Sequence, residues 1–212
     1  TMGSSSGDQS EQPVHTVTLD GFWIGQTEVT NAQYARCVEA NICTPANNTR
    51  WNDPAYADHP VANVDWEQAN QYAAWAGGRL STEAEWEKAA RGTDQRSYPW
   101  GDQVADQQRL NYNFVHGDTT PVGQYTDGAS FYGVLDMAGN VEEWVADWYA
   151  ADYYASSPGQ NPPGPADGSQ RVVRGGSFNS NGFDVRATAR DRAFPNVDYP
   201  SVGFRVVLPA IE

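Results

Sequence analysis

The sequence predicts one α+β domain, with helices early in the chain and an irregular β core late. Three observations carry that prediction. Capping residues and apolar positions three or four apart mark three short helices before Gly92. Beyond Gly92 the helical period disappears, and β-branched runs bounded by Gly and Pro replace it. Finally, 8 Trp, 11 Tyr, 20 Gly and 13 Pro in 212 residues suit a loop-rich fold held by aromatic packing.

The elements follow in order. Val14, Thr16, Leu19, Phe22 and Ile24 alternate with polar residues, which reads as two short strands joined near Asp20-Gly21. Thr30 then caps a first helix, with Gln33 completing the capping box and Tyr34, Cys37 and Val38 on one face. Residues 41–62 carry three Pro and many Asn and Asp, so they form a loop. Asp65 and Gln68 open a second helix, with Trp66, Tyr72, Ala73 and Ala76 as its apolar side and Gly77-Gly78 as its end. Thr82 and Glu85 open a third, which Gly92 stops. The Pro/Gly/Ser-rich stretch 150–168 runs over the surface, while "RVVRGGSF" and "VGFRVVLP" read as strands.

Charge narrows the partners. With 27 acidic residues against 13 basic, the net charge is −14. A nucleic-acid binder needs a basic face, and an anionic membrane surface would repel this chain. No run of 18 apolar residues is present, so no helix inserts into a membrane. The opening Thr1-Met2-Gly3 reads as that of a piece of something longer. Cys37 and Cys43 either close a small disulfide, which favours an extracytoplasmic or cell-surface location, or are two buried thiols. His15, His59 and His116 are scattered, which speaks against zinc.

Several long motifs stand here in one order: "VHTVTLDGFWIGQTEVTNAQYARCV", "HPVANVDWEQANQYAAWAGGRLSTEAEWEKAARG", "YPWGD", "TTPVGQY", "YGVLDMAGNVEEWVADWY", "RVVRGGSF" and "VGFRVV". Together they resemble the formylglycine-generating-enzyme / sulfatase-modifying-factor family over nearly the whole chain. The resemblance implies a single C-type-lectin-like domain over residues 1–212, with bound calcium. It also implies three kinds of relative: oxidases, ligand-binding proteins varied by diversity-generating retroelements, and sensor modules of bacterial Ser/Thr kinases.

Calcium takes six to eight oxygens from carboxylates and carbonyls. By resemblance, Asp136 and Glu143 give side-chain oxygens, and Gly139 and Val141 give backbone oxygens. Glu142 then faces away and is exposed. A solvated acidic turn is the alternative. A second calcium site of the enzyme branch would fall on Asn111, the carbonyl of Tyr112 and Asp118, with an ordinary Asn/Asp turn as the alternative.

The oxidase branch binds copper(I) through two cysteines in a motif resembling "GGSYxCxxxYC". Here the stretch is "GGSFNSNGFDVRATAR", with Ser180 in the first cysteine's place and no cysteine after Cys43. A hydroxyl is too hard and too weakly acidic to replace a thiolate, so copper is not expected. The chain is read as a non-catalytic domain that binds a protein or cell-surface ligand. Its candidate contacts are Phe178, Asn179, Asn181, Phe183, Asp184, Asp191, Asn196, Asp198 and Tyr199, since rigid aromatics beside adaptable polar groups suit recognition loops. The alternatives are an oxidoreductase of altered chemistry and a kinase sensor module.

Overall fold

Capping places the helices where the sequence put them. The structure, a computed structural model, describes residues 1–210; residues 211 and 212 of the expected domain lie outside the described residues. Helix α1 spans Asn31–Glu39, α2 Trp66–Trp75 and α3 Glu83–Arg91. Thr30, Asp65 and Thr82 each accept from the backbone N–H three residues on, and Gln33, Gln68 and Glu85 return the bond. Each box satisfies donors that a helix start leaves unpaired.

Seven short strands form two sheets. Strands β1 (Phe22–Ile24), β2 (Arg79–Leu80) and β7 (Val206–Pro209) make an antiparallel sheet in the order β1-β7-β2. Strands β3 (Glu142–Trp148), β4 (Arg171–Arg174), β5 (Arg190–Ala193) and β6 (Val202–Gly203) make the other, in the order β5-β4-β3-β6. In it β3 runs parallel to β6 and antiparallel to β4. The expected strand across Val14–Leu19 is absent. That segment touches its neighbours through single bridges, His15 to Met2 and Thr18 to Gln160, so no ladder forms. "VGFRVVLP" is two strands rather than one, because Phe204 and Arg205 leave the ladder to enter the core. The 150–168 stretch is largely exposed, yet Tyr154 is anchored at 2 % exposure.

The core is aromatic. Tyr34, Tyr72, Trp144 and Phe204 pack with Leu80 and the Cys37–Cys43 disulfide in one cluster, while Trp86, Met137, Val145 and Val172 form a second. Tyr34 and Tyr72 stack with centroids 5.7 Å apart, and Phe204 meets Tyr72 edge-on at 5.4 Å. Such pairs stabilise by roughly 0.5–1.5 kcal/mol beyond area burial.

Ion pairs run through this core. Arg205 grips Glu143 bidentately at 2.6 and 2.7 Å, and both residues are 1 % exposed. Arg190 grips Glu83 in the same way at 2.7 and 2.8 Å. Arg174 donates to Glu87 at 2.8 Å and to the carbonyls of Ala187 and Ala189. Arg186 holds Glu11 at 2.7 and 3.0 Å. Planar guanidinium forks tolerate burial when both arms find oxygens. These arginines thus tie α3 and the N-terminal segment to the β3–β6 sheet.

Candidate functional site

Strand β4 ends at Arg174 and the chain turns through Gly175 and Gly176. Both glycines have positive φ, +96° and +63°. A Cβ at Gly176 would stand 2.8 Å from Val185 and 3.1 Å from the Asp184 carbonyl, so only glycine lets the 176–184 loop fold back. Ser180 Oγ, in the place of the first oxidase cysteine, accepts from Ser177 N at 3.0 Å and serves the turn. Asn181 completes the loop by accepting from Phe183 N at 2.7 Å and donating to Asp184 Oδ2 at 2.7 Å.

This turn walls a cleft of about 210 Å³ lined by Glu142, Asp184, Asp191, Phe183, Tyr149 and the rim residue Arg192. Glu142 stands at the start of β3 and Asp191 on β5, with β4 between them. Glu142 is half-buried and faces the cleft rather than open solvent, which corrects the expectation of exposure. Strand alternation sends Glu143 into the core, so Glu142 takes the opposite face, and on that face the 176–184 loop covers it. Burial, with Asp191 and Asp184 nearby, pushes its carboxyl up to about 8. Arg192 donates to Tyr149 Oη at 3.2 Å, and Arg190 is committed to Glu83. With Glu142 holding its proton at neutral pH and Arg192 meeting only a neutral hydroxyl, the cleft is negative because three carboxylates, Asp8, Asp184 and Asp191, face that one cation.

The nine candidate contacts divide. Phe183, Asp184 and Asp191 line the cleft. Phe178, Asn179 and Asn181 sit on the same loop, where Phe178 meets the exposed Phe114 edge-on at 6.2 Å. Asn196 and Asp198 lie beyond β5 on the loop toward β6, and Tyr199 leans on Trp144 with its hydroxyl accepting from Phe194 N. None of these last three lines the cleft. Sequence reasoning missed Tyr149 and Arg192, and it assigned Glu142 to the wrong environment. The signal was available, since an acid beside a core-facing glutamate in a strand must face the other way.

The expected calcium residues have other partners in part. Both Glu143 oxygens are held by Arg205, and Trp86 Nε1 also donates to Oε2 at 2.8 Å. Asp136, at φ +56°, accepts from Gly123 N at 2.5 Å. Gly139 has φ +78°, and a Cβ there would meet the Asn111 carbonyl at 2.3 Å, which accounts for that glycine. Glu28 is 1 % exposed beside this turn. Its Oε1 accepts from Asn140 Nδ2 at 3.0 Å, while its Oε2 has no partner. Burial, then the Asp136 charge, pushes Glu28 well above the usual carboxylate range, and burial raises Asp136 too. A full four-residue cage including Glu143 does not fit; the free oxygen of Glu28 lies against the Asp136 carboxyl, an arrangement that a shared proton or a cation between them would satisfy. Among the described residues, no three His, Cys, Asp or Glu side chains converge as a metal site. At the second site Asn111 Oδ1 is buried without a partner, the Tyr112 carbonyl accepts from Val115 N at 3.1 Å, and the Asp118 carboxylate pairs with Arg50.

A loop-rich α+β domain with a Gly-Gly-Ser turn beside its cleft defines the C-type-lectin-like class of the formylglycine-generating enzymes. The chain belongs to the sulfatase-modifying factor enzyme 1-like domain family, whose model matches residues 1–210. It is 40% identical to the serine/threonine-protein kinase Pkn1 of Chlamydia trachomatis, covering 97% of this chain and 36% of the kinase. It is 34% identical to the formylglycine-generating enzyme of Streptomyces coelicolor, covering 96% of this chain and 84% of the enzyme. The chain thus spans about a third of the length of the kinase relatives it matches. Among solved structures, PvdO from Pseudomonas aeruginosa aligns with a TM-score of 0.82 at 27% identity, over 97% of this chain and 89% of that one. Treponema denticola variable protein 1 aligns with a TM-score of 0.81 at 28% identity, over 99% and 91%.

Proposed function

We propose that this chain is a non-catalytic ligand-binding domain whose acidic cleft receives a basic side chain of a protein partner. One observation carries the reading: Glu142, Asp184 and Asp191 meet in one cleft beside the Gly-Gly-Ser turn, while both cysteines of this chain are joined to each other on the α1 side of the fold. Carboxylates and the Ser180 hydroxyl are hard donors, unsuited to copper(I). A lysine or arginine head fits the cleft's charge; the Phe183 ring already holds Arg186 at 3.8 Å and the Tyr149 ring Arg192 at 4.8 Å, so the carboxylates do the recognising. Phe178, Asn179, Asn181, Asn196, Asp198 and Tyr199 form a surround of aromatic and polar groups for a larger partner.

Similarity to the kinases supports a role as one module of a longer protein. Similarity to the Treponema variable protein supports a displayed binding surface across 178–199, of the kind retroelements diversify. The disulfide supports an extracytoplasmic placement. Calcium belongs to the same reading as a clamp on the acidic turn, held by Glu28 and Asp136 side chains with backbone carbonyls of the turn. It would neutralise two buried carboxylates that lack a counter-ion of their own.

Selection from a displayed library of random hexapeptides tests the reading. Lys and Arg are enriched by the wild type, and the enrichment disappears in an E142Q/D184N/D191N variant. Identical selections by both proteins contradict it. The similarity to formylglycine-generating enzymes favours a second reading, an oxidoreductase of altered chemistry. Oxidation of a cysteine-bearing peptide by the purified chain would replace the first reading with the second.

A further inference from the structure

A second cavity lies away from the cleft, between α3, β1 and the 132–134 turn. It measures about 820 Å³, within the roughly 300–1,000 Å³ of typical small-molecule sites. Ala84, Glu87 and Lys88 of α3 face it from one side, since residues three and four apart share a helix face. Val17, Leu19, Phe22 and Val134 supply apolar wall opposite. Ala84 leaves the space open, being 4 % exposed with only a methyl to fill it. At the mouth Trp23 is 67 % exposed and Tyr132 49 %, an unusual exposure for two large rings.

Lys88 is the only lysine of the chain, against twelve arginines. It is half-buried, with Nζ 5.5 Å from the Tyr132 ring centroid. Among the described residues every other α3 charge has a partner: Glu83 has Arg190, Glu85 has Arg79, and Glu87 has both Arg174 and Arg91. Among the described residues the Lys88 ammonium has neither a salt-bridge nor a hydrogen-bond partner. Glu87 also lines the cavity, but its two oxygens are taken by Arg174, Arg91 and Gly3 N. Asp20 stands exposed at the rim and accepts from Asn161. Among the described residues the cavity therefore offers one uncommitted side-chain cation above an apolar trough.

We propose that this groove binds a small amphipathic carboxylate, its apolar tail against Val17, Leu19, Phe22 and Val134 and its head on the Lys88 ammonium. The chemistry is that of a free fatty acid: one anionic head for one cation, and a chain that covers wall otherwise left in water. Trp23 at the mouth makes occupancy visible as a change in tryptophan fluorescence.

The test is a fluorescence titration of the intact chain with dodecanoate, kept below its micellar concentration. Binding at one site per chain is expected. K88Q weakens it about tenfold, the loss of one charge-assisted contact, and A84L, which fills the groove but keeps the charge, weakens it at least as much. Dodecyltrimethylammonium, with the same tail and a cationic head, does not compete. Thermal melting of K88Q matches the wild type, which keeps the test readable even where A84L fails to fold. Absence of dodecanoate binding, equal affinity for K88Q and wild type, or equal binding of the trimethylammonium probe overturns the proposal.

Discussion

Asp147 offers a titration that can be worked from its surroundings. It lies in β3 at 3 % exposure, and its Oδ2 accepts from Glu83 N at 2.8 Å, the first N–H of α3. The 160s loop packs over it so closely that a Cβ at Gly164 would stand 2.8 Å from Oδ1. Among the described residues no arginine grips this carboxylate. Burial first, then the Glu83 charge, pushes its carboxyl from 3.8 up to about 8, with Arg190 acting in the opposite sense. The folded protein thus holds a proton that the unfolded chain has released over the whole range between those values. Stability is full below about pH 4, falls as pH rises, and is lost through pH 8. One bound proton corresponds to about 1.4 kcal/mol per pH unit, and the full span to at most about 6 kcal/mol. Against a typical total of roughly 5–15 kcal/mol, that is a large fraction. In D147N the amide oxygen keeps the bond from Glu83 N and cannot ionise. Urea denaturation from pH 5 to 9 is the assay. Measured from their difference at pH 5, D147N should gain about 1.4 kcal/mol over the wild type for each unit up to pH 7, with the gain levelling off above 8. Glu142, Glu28 and Asp136 titrate in both proteins and cancel in the difference. Parallel stability curves would refute the reasoning, because they would mean Asp147 is ionised in the fold at neutral pH.

Two further outcomes follow from the buried charges. Arg205→Met leaves Glu143 buried and uncompensated, so it costs about 3–5 kcal/mol in chemical denaturation; a loss below 1 kcal/mol contradicts the pairing. Millimolar calcium should raise the melting temperature by roughly 5–10 °C over the same sample in excess chelator, the increment expected near a hundredfold saturation. Glu28→Gln should abolish that increment, and an unchanged melting temperature under chelator would dismiss the clamp.

Much of this was legible in the residues because local chemistry decided it. All three helices begin at the capping boxes that Thr30, Asp65 and Thr82 announce, since those bonds are made within four residues of sequence. The strands were harder. Val14–Leu19 alternates well yet has no partner strand, and alternation alone does not supply one. β5, "RDRA", carries three charged residues and no strand-like pattern; it is a strand because β4 lies beside it. The acidic turn misled for a related reason. Glu143 is bound by Arg205, 62 residues away, so the sequence neighbourhood could not reveal that its oxygens were taken. Likewise Glu28 belongs to this turn only through the fold, 112 residues from Asn140. The site was readable at the level of its loop, where 183, 184 and 191 converge, and unreadable where the sheet brings Glu142 and Tyr149 beside them.

The central claim is that the cleft accepts a basic head group without thiol chemistry. Amide chemical-shift mapping during titration with N-acetylarginine amide tests it most directly. The account predicts saturable shifts centred on Glu142, Gly175, Gly176, Asp184 and Asp191, lost in the E142Q/D184N/D191N variant. Shifts scattered over the acidic surface, or none at these positions, would contradict it.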